Sequence, residues 1–220
     1  MALPLDQIKK SSVPLVDTEH DFVGIGVLNE GDIASHSGLI IKYRSTVYEF
    51  HYTGRGKEIL LTELNYDFYH KTINIIPTFE IPAFLKMAQN IHKFANPKYG
   101  CFYSGEFYDA DGNHFSSITG QFMTCVGFCL NVLKGFLLED YLKYDDWDNT
   151  TAEGFSNQPD YFSFFILRHG LDPDEFSSSL RRITPIEMLT SAFFNDLPIR
   201  KINIDAHKEQ VNTYLQTIDL

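Results

Sequence analysis

The chain has 220 residues, 44% of them apolar and 15% aromatic, which is enough for one sizeable core and suits a single domain better than two. Its formal net charge of −11 and a pI near 5.1 argue against a nucleic-acid partner, because phosphate-backbone binding relies on clustered Lys and Arg. Three cysteines, Cys101, Cys125 and Cys129, are too few for a disulfide scaffold and read as thiols of a reducing compartment. No apolar run reaches the ~18 residues that span a bilayer, and the first residues lack a signal-peptide pattern, so the expectation is a cytoplasmic protein with no stable membrane insertion. A protein exported by a specialised secretion system without a cleavable signal would have the same features.

In chain order, "DFVGIGVLNE" (21 to 30) and "GLIIKY" (38 to 43) are short β-branched or apolar runs, and "TVYEFHY" (46 to 52) alternates like a half-buried strand. "EILLTEL" (58 to 64) and "TINIIPTFEI" (72 to 81) extend the expectation, making 21–80 mainly strands. "IPAFLKMAQNIHKFANP" then predicts a helix over 82–96, with Pro82 near its start, Phe84, Leu85, Ala88 and Ile91 at helical spacing, and a stop at Asn96-Pro97. "DADGNH" (109 to 114) is a turn, since its glycine comes too early for a calcium loop and the closing glutamate is missing.

"TCVGFCLNVLKGFLLEDYL" is the longest helical pattern, within a region 115–144, and Thr124 is its natural N-cap. An acidic polar loop, "YDDWDNTTAEGFSNQPD", leads to a helical extension over 158–220. Its helices are expected at "DYFSFFILRHG", "DPDEFSSSLRR", "TPIEMLTSAFF" and, more weakly, "DAHKEQVNTYLQTI". The phenylalanines of the first read most simply as core, and as a groove for an acyl chain only if the substrate is a lipid. A strand-rich start and a helix-rich end make an α+β domain over 1–220.

Cys125 stands at the first position of the long helix, where unpaired amides and the positive end of the helix dipole lower a thiol's pKa and can hold an oxyanion. The plainer reading is a small buried hydrophobe. Cys129, one turn deeper on the face of Phe128, Val132 and Phe136, is expected in the core. A thiol nucleophile needs a base and an orienting group. His36 opens one strand of the hairpin "DIASHSGLIIKYRSTVYEFH", and Glu49 and His51 share a face of the other. Either could reach the free ring nitrogen of a histidine on the neighbouring strand. Alternatively His36 is a satisfied core histidine, Glu49 faces solvent and His51 simply ends the strand. The other histidines are scattered singly, so neither a metal nor a cofactor is indicated.

"GDIASHSGLIIKY" resembles the "GD(I/L)…SHVGI" segment of the NlpC/P60 superfamily of papain-like cysteine hydrolases, and "TCVGFCLNVLKG" resembles its "(D/N)CSGFV" nucleophile helix. The histidine hairpin precedes the cysteine helix here. That order is similar to the circularly permuted branch, with its YiiX-like and lecithin:retinol acyltransferase-like proteins, in which a "VYEA"-like segment corresponds to "VYEFH" at 47 to 51. The likeness covers residues 22 to 64 and 115 to 138. Thr124 and Val126 depart from the family pattern, whereas Gly127 keeps it.

The resemblance implies a papain-like core in permuted order, an antiparallel sheet packed on the nucleophile helix with extra C-terminal helices. It implies Cys125 as nucleophile and His36 as general base. The third member is Glu49 by the "VYEA" match or His51 by the usual family pattern, and Gln121 is a candidate oxyanion donor. The expected activity is a thiol hydrolase that cleaves a peptide-type amide, cell-wall peptides included, through an acyl-enzyme. Lipid hydrolysis or acyl transfer at the same site, and a catalytically silent binding module, are the alternatives. The partner is a small peptide or acyl substrate, and the oligomeric state is left open.

Overall fold

The computed structural model describes residues 2–11, 20–30, 33–54, 58–100, 105–116, 120–147, 170 and 181–218. Cys101 and the helices expected at "DYFSFFILRHG" and "DPDEFSSSLRR" lie outside them, apart from Gly170 and residues 181–182.

Six strands form one sheet: β1 (Lys9–Lys10), β2 (Phe22–Glu30), β3 (Ile33–Tyr43), β4 (Thr46–Tyr52), β5 (Ile59–Glu63) and β6 (Tyr69–Thr72). Their order is β1-β6-β2-β3-β4-β5, and every neighbouring pair is antiparallel. The chain meanders from β2 to β5, then crosses back along one face of the sheet through residues 64–68 to lay β6 against the free side of β2. The expected strand over 72–81 is replaced by β6, which ends at Thr72, and by a 3-10 turn at Thr78–Glu80 that leads into the next helix. Pro77 supplies no ladder donor, and Ile73, whose amide still bonds the Val23 carbonyl at 3.0 Å, and Ile76 reach the core from an irregular segment.

The alternation of apolar residues gives the sheet two different faces. Val23, Ile25, Leu39, Ile41, Phe50 and Tyr52 point to one side and join the main core. There α1 (Ile81–Phe94) contributes Phe84, Ala88 and Ile91, and α2 (Cys125–Leu137) contributes Phe128, Cys129 and Val132. Phe50 meets Phe128 edge-on with ring centroids 5.0 Å apart. The opposite face carries a smaller cluster in which Phe68, from the crossing segment, packs on Phe22 and Ile40. Gly26 and Gly38 make room for it, since a Cβ at either would stand 3.0 to 3.3 Å from the Phe68 ring.

Two small strand pairs flank α2. β7 (Lys98–Tyr99) runs parallel to β10 (Phe122–Met123), and β8 (Phe107–Tyr108) pairs with β9 (His114–Phe115) around the turn expected at Asp111-Gly112. Asp109 closes that turn by accepting the amides of Asp111 and Asn113. The C-terminal part adds α3 (Pro185–Ser191), α4 (Lys201–Asp205) and α5 (Lys208–Ile218). Thr184 and Glu187 start α3 with a reciprocal capping box, and Leu189, Val211 and Leu215 cover Val27, Ala34 and Tyr69 of the sheet. The domain is thus α+β, with the helices gathered on one face of an antiparallel sheet.

Candidate functional site

Strand register decides which way each histidine points. His36 lies opposite Leu28 on β2, and Gly38 stands against His51, whose Cβ is 3.0 Å from where a Gly38 Cβ would be. Both histidines therefore occupy the face that carries Phe68. His36 Nε2 and His51 Nδ1 are 2.7 Å apart, a hydrogen bond between imidazoles, and the Phe68 and Tyr66 rings meet His51 edge-on. Burial lowers the pKa of His36 to about 4, and burial together with the facing His36 lowers that of His51 to about 3. Both rings are neutral at pH 7.

Glu49 is two residues from His51 on the same face and is buried rather than solvent-facing. Its Oε1 accepts the Thr62 hydroxyl at 3.1 Å, and its Oε2 accepts the amides of Asn65 and Tyr66, each at 3.2 Å. The carboxylate thus ties the start of the crossing segment to the sheet. It approaches the histidine pair only through His51, whose Nε2 is 4.0 Å from Glu49 Oε1. Of the two candidates for orienting His36, the one in contact with its ring is His51.

Cys125 comes to the sheet from the helix side. Thr124 caps α2 by accepting the Gly127 amide at 3.1 Å, which leaves Cys125 as the first helical residue. The expectation of a depressed thiol pKa is corrected here. Burial raises it, and the amides of Ser37, Val126 and Cys125 itself offset that rise only in part. Cys129 is fully buried and its thiol is pushed well above the usual range, in keeping with a core role. Among the described residues no hydrogen bond joins the Cys125 sulfur to His36, whose Nε2 is engaged by His51.

Gln121 is turned elsewhere. Its Oε1 accepts the Asn96 amide at 3.0 Å and the Tyr108 hydroxyl at 3.3 Å, so the side chain fastens the end of α1 to β8 instead of serving an oxyanion at Cys125. The residue that sequence reading passed over is Ser37. Its amide is directed at the Cys125 sulfur, and its hydroxyl is fully buried without a partner. Strand alternation beside His36 contained the signal, since Ser37 had to face the helix if His36 faced away. Nothing in the sequence marked Phe68 or Tyr66, because they reach the site through a chain crossing.

Among the described residues, no group of three or more His, Cys, Asp or Glu side chains is placed to hold a metal ion. Nor is any helix there long and apolar enough to cross a membrane. No family model, curated protein or solved structure matches the chain.

Proposed function

We propose that the protein is a thiol hydrolase that cleaves a peptide-type amide through an acyl-enzyme, with Cys125 as nucleophile, His36 as proton carrier and His51 as the group that orients it. The observation that carries this reading is the convergence of the Ser37, Cys125 and Val126 amides on the Cys125 sulfur. His36, the neighbour of Ser37 on β3, projects from the other face of the sheet, where His51 holds it at 2.7 Å, so the proton transfer requires its ring to turn toward α2. The chain order, His36 and His51 on paired strands and then Cys125 at a helix start on the same sheet, agrees with the resemblance to permuted NlpC/P60 enzymes.

In the reaction, the Cys125 thiol proton passes to His36 as sulfur bonds to the substrate carbonyl carbon. The helix amides receive the oxyanion. Collapse breaks the carbon–nitrogen bond, and His36 gives its proton to the departing amine. Water, deprotonated by His36, then attacks the thioester and releases the acid and the thiol. An ester or an acyl acceptor other than water would use the same steps.

A second reading, a binding module that keeps this scaffold without catalysis, is favoured by the raised pKa of the half-buried thiol and by the placement of Cys125 and His36 on opposite faces of the sheet with no hydrogen bond between them. An electrophilic amide probe distinguishes the two. The hydrolase requires covalent capture by the wild type, none by Cys125→Ser and a loss of at least tenfold in His36→Ala. Reversible binding of the probe by all three proteins without covalent capture by the wild type would leave the binding module as the answer.

A further inference from the structure

Three groups stand in a row on the Phe68 face of the sheet: the buried Glu49 and His51 and the half-buried His36. The His51 ring has one nitrogen in each direction, with Nδ1 2.7 Å from His36 Nε2 and Nε2 4.0 Å from Glu49 Oε1. Its Nε2 has no hydrogen-bond partner, and the ring and the carboxylate are both almost fully buried. Each neutral imidazole carries one N–H and one lone pair, so the row has a direction that its geometry alone leaves open.

We infer that Glu49 sets this direction: facing the carboxylate, His51 carries its proton on Nε2, so that His51 Nδ1 accepts from His36 Nε2–H and the His36 lone pair is left on Nδ1. The opposite arrangement would aim the His51 Nε2 lone pair at a carboxylate oxygen in a dry environment, where such repulsion is poorly screened. Three donors, the Thr62 hydroxyl and the Asn65 and Tyr66 amides, hold Glu49 in place, so it cannot turn aside. Both rings stay neutral down to about pH 4, so the tautomer and not the charge is what the row transmits at physiological pH. Glu49 thereby becomes a positioning residue acting through His51. Resting on the hydrolase reading, the inference makes His36 Nδ1 the basic nitrogen of the row, the one with a free lone pair.

Ring-nitrogen NMR on the full-length wild type at pH 7 tests the assignment directly. The expected spectrum has pyrrole-like Nε2 and pyridine-like Nδ1 signals for both His36 and His51. A protonated Nδ1 on either ring overturns the inference. Glu49→Gln, which keeps the shape and removes the charge, should shift the His51 signals toward a mixture of tautomers. Thr62→Val, which removes one hydrogen bond to the carboxylate but not its charge, should leave them in place.

Unchanged signals in a folded Glu49→Gln protein, or an equal change in Thr62→Val, would reduce Glu49 to a structural tether. If Glu49→Gln does not fold, the wild-type spectrum and Thr62→Val still decide. Failure of the hydrolase reading looks different, with the expected tautomers present in a protein whose wild type, like its Cys125→Ser variant, binds the probe without covalent capture.

Discussion

At Cys125 two effects oppose each other, and burial wins. Amides at a helix start favour a thiolate, but a sulfur packed between α2 and the sheet loses water, and its pKa rises. Cys125 therefore rests as a thiol and His36 as a neutral imidazole. Alkylation of Cys125 by iodoacetamide should be slow at pH 6 and climb steadily through pH 9. A rate already at its plateau in mild acid would show that the amides prevail.

Beside it, Ser37 carries a hydroxyl that is fully buried without a partner. Leaving such a group unsatisfied costs on the order of 1 kcal/mol or more. Ser37→Ala should accordingly raise the midpoint of urea unfolding, by about 1 kcal/mol of stability. A fall of that size would mean that the hydroxyl has a role in holding β3.

Among the elements, α2 does most to place the site, and both its start and its last turns are tied down. Thr124→Ala removes the cap that accepts the Gly127 amide and should cost about 1 kcal/mol in chemical denaturation, with Cys125 labelling altered in parallel. Gly135 faces a tighter limit. A Cβ there would lie 1.7 Å from the Tyr108 carbonyl oxygen, so Gly135→Ala must push β8 away from the helix. Its expected cost is about 3 kcal/mol, several times that of the lost cap, and a circular-dichroism melt of the two variants checks the ranking.

The same elements show what could be read locally. Thr124, the threonine and proline that open "TPIEMLTSAFF" and the apolar spacing of α1 announced three helices, because caps and helical periodicity act within a few residues. The segment 72–81 misled because its apolar residues, Ile73 and Ile76, are core contacts of an irregular connection, which strand-like composition does not distinguish from a strand.

For the molecule as a whole, acid is the vulnerable side. His36, His51 and His70 all sit on the face away from α2, and burial lowers their pKa values to about 4, 3 and 4. In the unfolded chain they titrate near 6.5, so between about pH 6.5 and 4 the unfolded state binds more protons and stability falls as pH is lowered. Each pKa unit is worth about 1.4 kcal/mol, and three rings share one face. Relief of self-repulsion in a chain of net charge −11 works the other way but is spread over the surface. The unfolding midpoint in urea should hold steady from pH 8 to 7 and drop progressively below 6.5. A flat profile down to pH 4.5 would show that these rings keep their water.

Local sequence was sufficient for the β3–β4 hairpin, the cap that puts Cys125 at a helix start, the burial of Cys129 and the shared face of Glu49 and His51. Each depends on alternation or helical spacing over a handful of residues. Tertiary structure alone decided that the 64–68 crossing buries Glu49 as its tether and presses Phe68 onto the histidines. It also decided that His51, and not Glu49, touches His36, and that burial outweighs the helix amides at the thiol. Those outcomes depend on which distant segment covers each face of the sheet, and so on contacts between residues far apart in the chain, which no local pattern encodes.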